Sequence, residues 1–364
     1  MTCCAADLSL ASPVMQRSLH LGPANDKDAD DLQHNLSALA GRDGWLWLGG
    51  DEGRCLYRLE RLAEHGYGKS EAMKLKDYGL AEGKEHGESD IEGLALDGDR
   101  LWLVGSHSLR RRKVTSTSGA PLTIPEESRR NANVLGCLHL DGQGRPRLGQ
   151  RLNLRSDGSC DALSDALAAD RRITPFLAIP SKDNGLDIEG IAARGDRLLV
   201  GLRGPVLRGI ALVADLQVGG IADGNNLEDG PVSGIGDSLS LERLQLRLLD
   251  LDGLAVRDLA VLPDSDDVLI LAGPTMTLAG PCFLYRWSQA LVSTEPPAVE
   301  TPQPLLCLRD GRPGRPGLGS DKPEGLELER SGDRCLAWVA YDDPTESRHA
   351  GAEVETLLDG FVLP

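Results

Sequence analysis

Two tetrapeptides share one spacing of carboxylates: Asp90-Ile91-Glu92-Gly93 and Asp187-Ile188-Glu189-Gly190. A shorter copy, Pro323-Glu324-Gly325, follows later in the chain, and Arg257-Asp258 holds the equivalent place in a fourth segment. Each leads into an apolar run and so marks the entry to a strand. Carboxylates that converge on one narrow space cannot all ionise without compensation. A hard cation held by oxygen ligands is one remedy, and arginine is another. Asp51, Glu52, Glu92, Glu189 and Glu324 are therefore candidate ligands for Ca2+ or Mg2+, with Glu189 also a candidate catalytic carboxylate.

His107 lies in Gly105-Ser106-His107-Ser108-Leu109-Arg110, where a strand is expected to end, and is a candidate general base. Ser106, Arg110, Arg203, Arg257 and Thr275 are candidate contacts for an anionic substrate, because guanidinium groups and hydroxyls recognise carboxylate and phosphate oxygens. Each has a structural alternative: strand-entry acids also cap turns or pair with arginine, and a histidine can simply fix a loop. No G-x-S-x-G elbow, H-E-x-x-H, P-loop or dinucleotide fingerprint occurs, so the common nucleophile, zincin and nucleotide-binding schemes have no support.

The elements that must place these residues recur five times. Each copy is an apolar strand, a Gly/Asp-rich turn and a second apolar strand. The second strands begin near Trp45, Leu101, Leu198, Val268 and Cys335. Two further strand-like runs follow most hairpins, which suits four-stranded propeller blades. The expectation is an all-β β-propeller of five four-stranded blades, with six as the alternative. The N-terminal Met15–Leu21 segment would close the last blade and hide two sheet edges. A single domain is expected over 14–364, with a flexible 1–13 and a helical or loop insertion over 155–185 that includes Asp161–Asp170. In each hairpin the start of the first strand and the end of the second share one sheet edge, so the carboxylates and His107 should rim one mouth of the channel. The other mouth should be lined mainly by tight Gly/Asp turns.

The formal charge of −17 disfavours nucleic acid as a partner. No window of about 18 apolar residues offers a membrane span, and the first residues lack the basic-then-apolar order of a signal peptide. The eight cysteines show neither a C-x-x-C pair nor zinc spacing and read as reduced thiols of a cytoplasmic protein, monomeric or weakly dimeric.

Taken together, LWLGGDEG, SDIEGLAL, LWLVGSHSLRR, LDIEGIA, VRDLAVLP and KPEGLEL resemble the bacterial domain-of-unknown-function 3616 family over roughly residues 20 to 345. That family brings a β-propeller-like fold and no established activity. More distantly, the D-x-E-G lead-in is similar to esterase-like phytase propellers, which implies calcium and phosphoester chemistry by analogy of fold. Two functions remain open. In one, a metal-dependent phosphoester hydrolase uses the carboxylates for the ion, the arginines for the substrate's charge and His107 for a proton. In the other, a non-catalytic propeller binds a ligand or protein on the same face.

Overall fold

The computed structural model describes the chain except residues 1–4, 6–7, 24–25, 43, 52, 63–65, 82–88, 111–132, 153–160, 223–233, 277, 293–297, 311–319 and 349–353. The chain is all-β and propeller-like. After an N-terminal strand β1 (Met15–Gly22) and a short helix α1 (Lys27–His34), the first sheet is built from β2 (Leu36–Arg42), β3 (Trp45–Gly50), β4 (Cys55–Leu62) and β5 (Gly66–Lys74). The second holds β6 (Ile91–Asp97), β7 (Arg100–Gly105), β8 (Leu135–Leu140) and β9 (Pro146–Arg151). Helix α2 (Ala162–Ala169) then precedes the third, β10 (Asp187–Arg194), β11 (Arg197–Leu207) and β12 (Ile210–Gly219). Two-residue β13 (Gly234–Ile235) adds to the edge of β9, and β14 (Ser240–Asp250) completes the third sheet. The fourth is β15 (Ala255–Val261), β16 (Val268–Gly273), β17 (Pro281–Trp287) and β18 (Gln303–Asp310). The last is β19 (Lys322–Ser331), β20 (Arg334–Asp342) and β21 (Val354–Val362).

Strand β1 completes that last sheet by pairing antiparallel with β21, from Met15↔Gly360 to Gly22↔Val354. It also touches β5 in parallel through Ser18↔Gly66 and Leu19↔Tyr67, so the first and last sheets join along their outer edges. Residues 8–11, expected to be flexible, run beside β18: Leu10 bridges Cys307, and the Ala11 amide donates to the Cys307 carbonyl at 2.7 Å.

The first strand of every hairpin is innermost. These strands touch in a closed ring, β2 on β6, β6 on β10, β10 on β15, β15 on β19 and β19 on β2. Each neighbouring pair of sheets shares an apolar cluster, such as Trp102, Val104 and Cys137 of the second sheet against Ile191, Val200 and Leu212 of the third. Second strands are therefore covered on both faces, which is why Leu101-Trp-Leu-Val and Val268-Leu-Ile-Leu-Ala read as continuous apolar runs rather than alternating ones. The turns are stitched to one another around the ring. Arg42 donates to the Gly98 carbonyl, Asp97 Oδ2 accepts from the Gly195 amide at 2.8 Å, Arg194 pairs with Asp266 at 2.5 Å, Arg330 pairs with Asp264, and Glu327 Oε2 accepts from the Gly41 amide at 2.8 Å.

At the other end the inner strands come too close for ordinary side chains. A Cβ on Gly93 would lie 2.9 Å from the Gly190 backbone, and one on Gly190 would lie 2.6 Å from Asp258 Cα. Gly190 also has a φ of +84°, a conformation that L side chains avoid. Gly190→Ala is expected to cost roughly 2–4 kcal/mol in urea unfolding. Gly195→Ala has a φ of +63° but no atom within 4 Å of its Cβ position, so it should cost only about 1 kcal/mol. Equal losses would remove the close approach of the strands as the cause.

Candidate functional site

The strand-entry residues reach the axial space because the ladder slips at each of them. Ile91 pairs with Gly105 and Gly93 with Val104, so Glu92 stands opposite no residue. Ser37 is the extra residue between Leu36 and Ala38, and Arg257 the one between Val256 and Asp258. One extra residue likewise falls within Glu189-Gly190 and within Glu324-Gly325. A bulge leaves its residue unpaired and re-aims the side chain. Here the bulges lie at the same level of all five inner strands, so Ser37, Glu92, Glu189, Arg257 and Glu324 belong to one ring. The D-x-E-G motif is thereby explained: the glutamate occupies the bulge, and the glycine admits the neighbouring strand.

Three arginines neutralise much of this ring. Arg203 binds Asp187, with Nε to Oδ2 at 2.7 Å, and reaches Glu189 Oε1 with Nη1 at 2.6 Å. Arg257 Nη1 spans Glu189 Oε2 at 3.2 Å and Glu324 Oε1 at 2.7 Å, while its Nη2 donates to the Pro274 carbonyl at 2.9 Å. Arg110 pairs with Asp90, whose other oxygen accepts from the Ser106 hydroxyl. Thr275 donates to the Arg203 carbonyl at 2.8 Å and so ties the fourth sheet to the third. Ser37 closes the ring by donating to the Ile91 carbonyl at 2.5 Å. Asp258, next to the bulge, accepts the Leu259 and Leu326 amides at 2.8 and 2.7 Å and joins the fourth sheet to the last.

Glu92 is left over. Among the described residues no hydrogen-bond donor or cation contacts its carboxylate, although it retains partial exposure. Burial pushes its pKa well above the usual carboxylate range, and the charges of Asp90, Glu189, Asp51 and Glu324 push it the same way. Burial likewise raises Asp187 to about 7 despite Arg203, and raises Glu324 in spite of Arg257. Burial works against the charge of Arg203, but Asp187 and Glu189 outweigh it and hold its pKa well up. The ring therefore carries more carboxylate than its arginines balance.

Of the residues singled out from the sequence, Glu92, Glu189, Glu324, Arg203 and Arg257 meet in the ring, with Ser106 and Arg110 beside it through Asp90. Asp51 lies close enough to raise Glu92, and Glu52 falls outside the described residues. The structure commits His107 elsewhere. Its Nε2 meets Asp161 Oδ2 at 2.9 Å and its Nδ1 meets the Gly105 carbonyl at 2.9 Å, so both ring nitrogens are engaged. Asp161 is the N-cap of α2, accepting the Ser164 amide at 2.8 Å. Burial opposes a charge on His107 but Asp161 outweighs it, raising the imidazole and lowering its own pKa in turn. The pair clamps the inserted helix to the end of β7. Asp187, Asp90 and Asp161 were not singled out as site residues. A signal existed for the first two: Asp90–Ser106 and Asp187–Arg203 share one separation along equivalent hairpins. Among the described residues no group of three or more His, Cys, Asp or Glu is arranged to hold a metal ion.

Several solved structures resemble the chain in outline. Glutaminyl cyclase from Myxococcus xanthus aligns over 97% of this chain and 100% of its own at 11% identity, with a TM-score of 0.40. PQQ-bound aldose sugar dehydrogenase from Streptomyces coelicolor aligns over 97% and 100% at 14% identity, with a TM-score of 0.38. The major allergen Mala s 1 of Malassezia sympodialis aligns over 90% and 78% at 9% identity, with a TM-score of 0.37. No curated protein matches the chain. The sequence pattern of the family described as "Protein of unknown function (DUF3616)" matches residues 35–359, a span that includes every member of the ring.

An acid whose pKa is raised on folding binds its proton more tightly in the folded state. It therefore favours folding at low pH and loses that advantage as pH rises from the unfolded pKa through the folded one. Glu92→Gln should thus match the wild type near pH 4 and exceed it at pH 8 by on the order of 1 kcal/mol in chemical denaturation. A variant less stable than wild type at pH 8 would mean that Glu92 is a paired carboxylate.

Proposed function

The chain belongs to the DUF3616 family, and from the geometry of its ring we propose a five-bladed β-propeller that binds a cationic ligand at the carboxylate-rich mouth, without catalysing a reaction there. The observation that carries this reading is Glu92, a half-buried carboxylate with no donor among the described residues, set beside Asp51, Asp90, Glu189 and Glu324. The five-blade count rests on the closed ring of inner strands and on the apolar cluster between each pair of neighbouring sheets.

The chemistry favours an organic cation. Glu92 lacks hydrogen-bond donors, and an ammonium or guanidinium group brings both charge and N–H donors. A Ca2+ or Mg2+ ion needs about six oxygen ligands, and Glu189 and Glu324 are already bonded to arginine. The metal-dependent phosphoester hydrolase asks for still more. Its anion-gripping arginines are held by Asp90, Asp187, Glu189 and Glu324, and its proton carrier His107 is engaged by Asp161. A ligand-binding propeller requires none of these groups to be free.

A cation that pairs with Glu92 displaces its proton, so affinity should rise with pH and binding should release a proton. Calorimetry with putrescine and agmatine, in two buffers of different ionisation enthalpy, measures both. The expected result is saturable binding with proton uptake by the buffer, weakened at least about tenfold by Glu92→Gln. No saturation at about 10 mM amine, or an unchanged affinity in Glu92→Gln, would overturn the reading. Tight binding of CaCl2 that depends on Glu92, in place of the amines, would transfer the site to a metal and make phosphoesters the next substrates to screen.

A further inference from the structure

The end of the sheets that carries the turns was expected to be plain, yet it holds a cavity of about 390 Å3 where the first and last sheets meet. That volume lies within the range of small-molecule sites. Leu46, Tyr67, Trp338 and Leu358 line it together with Arg17, Arg42, Arg61 and Arg330. The arrangement depends on β1. Its Arg17 stacks 4.0 Å from the centre of the Trp338 ring and forms a two-pronged pair with Glu329, whose Oε2 also accepts from Trp338 Nε1 at 2.9 Å.

The charges do not cancel. Glu329 is the carboxylate of Arg17, and Arg61 only shares it, with Nη2 at 3.1 Å from Oε1. Arg42 donates to a neutral acceptor, the Gly98 carbonyl, and has no carboxylate partner among the described residues. Arg330 is satisfied outside the cavity by Asp264. The remaining acid, Glu327, accepts the Gly41 amide at 2.8 Å, and burial raises its pKa to about 8, which weakens its claim to a negative charge. The arginines that line the cavity thus outnumber its carboxylates, beside apolar side chains and in a chain whose formal charge is −17.

We propose that this cavity is a second binding site, selective for a small phosphate monoester dianion that carries an apolar or aromatic group. The guanidinium groups of Arg42 and Arg61 meet the phosphate oxygens, and Trp338, Tyr67 and Leu46 cover the organic part. The site lies at the opposite end of the inner strands from Glu92, so either can fail without the other.

Calorimetry with phenyl phosphate, inorganic phosphate and benzoate tests it on the full chain. Phenyl phosphate should saturate and bind at least about fivefold more tightly than either of the others, since only it supplies both the dianion and the ring. Arg61→Gln and Arg42→Gln should each weaken it by about tenfold, and Glu92→Gln should leave it unchanged. Both arginines are solvent-exposed, so neither change threatens the core. No saturation at about 10 mM phenyl phosphate would overturn the proposal. So would an affinity indifferent to both arginine variants, an equal loss in Glu92→Gln, or benzoate binding as tightly as phenyl phosphate.

Discussion

The close packing of the inner strands is the constraint on which the rest of the molecule depends. Gly93 lies against the Gly190 backbone, and Gly190 against that of Asp258. Every inner strand has a bulged residue at this level, followed by glycine in three strands, by Ala38 in β2 and by Asp258 in β15. The bulges turn five side chains to one ring. Because three are glutamates, the ring must import positive charge, and Arg203 and Arg257 provide it from the third and fourth sheets. Buried ion pairs of this kind contribute less to net stability than to specifying one arrangement, since removing one partner strands the other.

The same logic separates the two ends of the inner strands. At the bulged end carboxylates exceed arginines and Glu92 is left open. At the turn end arginines exceed ionised carboxylates where β1 brings Arg17 against Trp338. An overall acidic chain thus carries a local field of each sign. Pairs of arginine and aromatic ring recur around the periphery, with Arg247 at 4.2 Å from Trp287 and Arg58 at 3.3 Å from Trp45. Arg247 also binds Glu300, and Trp287 Nε1 donates to that same Glu300 at 2.8 Å, which repeats the Arg17–Trp338–Glu329 arrangement. The Arg247–Trp287 pair joins the third and fourth sheets, whereas Arg58–Trp45 and Arg17–Trp338 each lie within one sheet.

Much of this was legible in the sequence because it is local. The hairpins announce themselves by apolar runs around Gly/Asp turns, and the pairing of Met15–Gly22 with the last sheet follows from the need to cover an edge. Glu92, Glu189, Glu324 and Arg257 were visible as equivalents by their place in the strand lead-ins, D-I-E-G twice, P-E-G and R-D. What stayed hidden is the partnership across long separations. His107 looks like a base in its own segment, and only the fold brings Asp161 from α2 to it. Arg203 and Arg257 look like anion receptors until Asp187, Glu189 and Glu324 are seen to surround them. The arginines that line the cavity come from β1, β2, β4 and β19, strands drawn from opposite ends of the chain.

The central claim is that Glu92 is the ring carboxylate without a bonded donor or cation among the described residues. Its ionisation can be followed directly by carbon-detected NMR of glutamate side-chain carboxyls, with Glu92→Gln to assign the resonance. A titration well above the ordinary glutamate range of about 4.3, pulled back towards it by saturating putrescine, is the predicted result. A Glu92 carboxylate that titrates at or below that range without any ligand would show it to be paired, and would contradict the account.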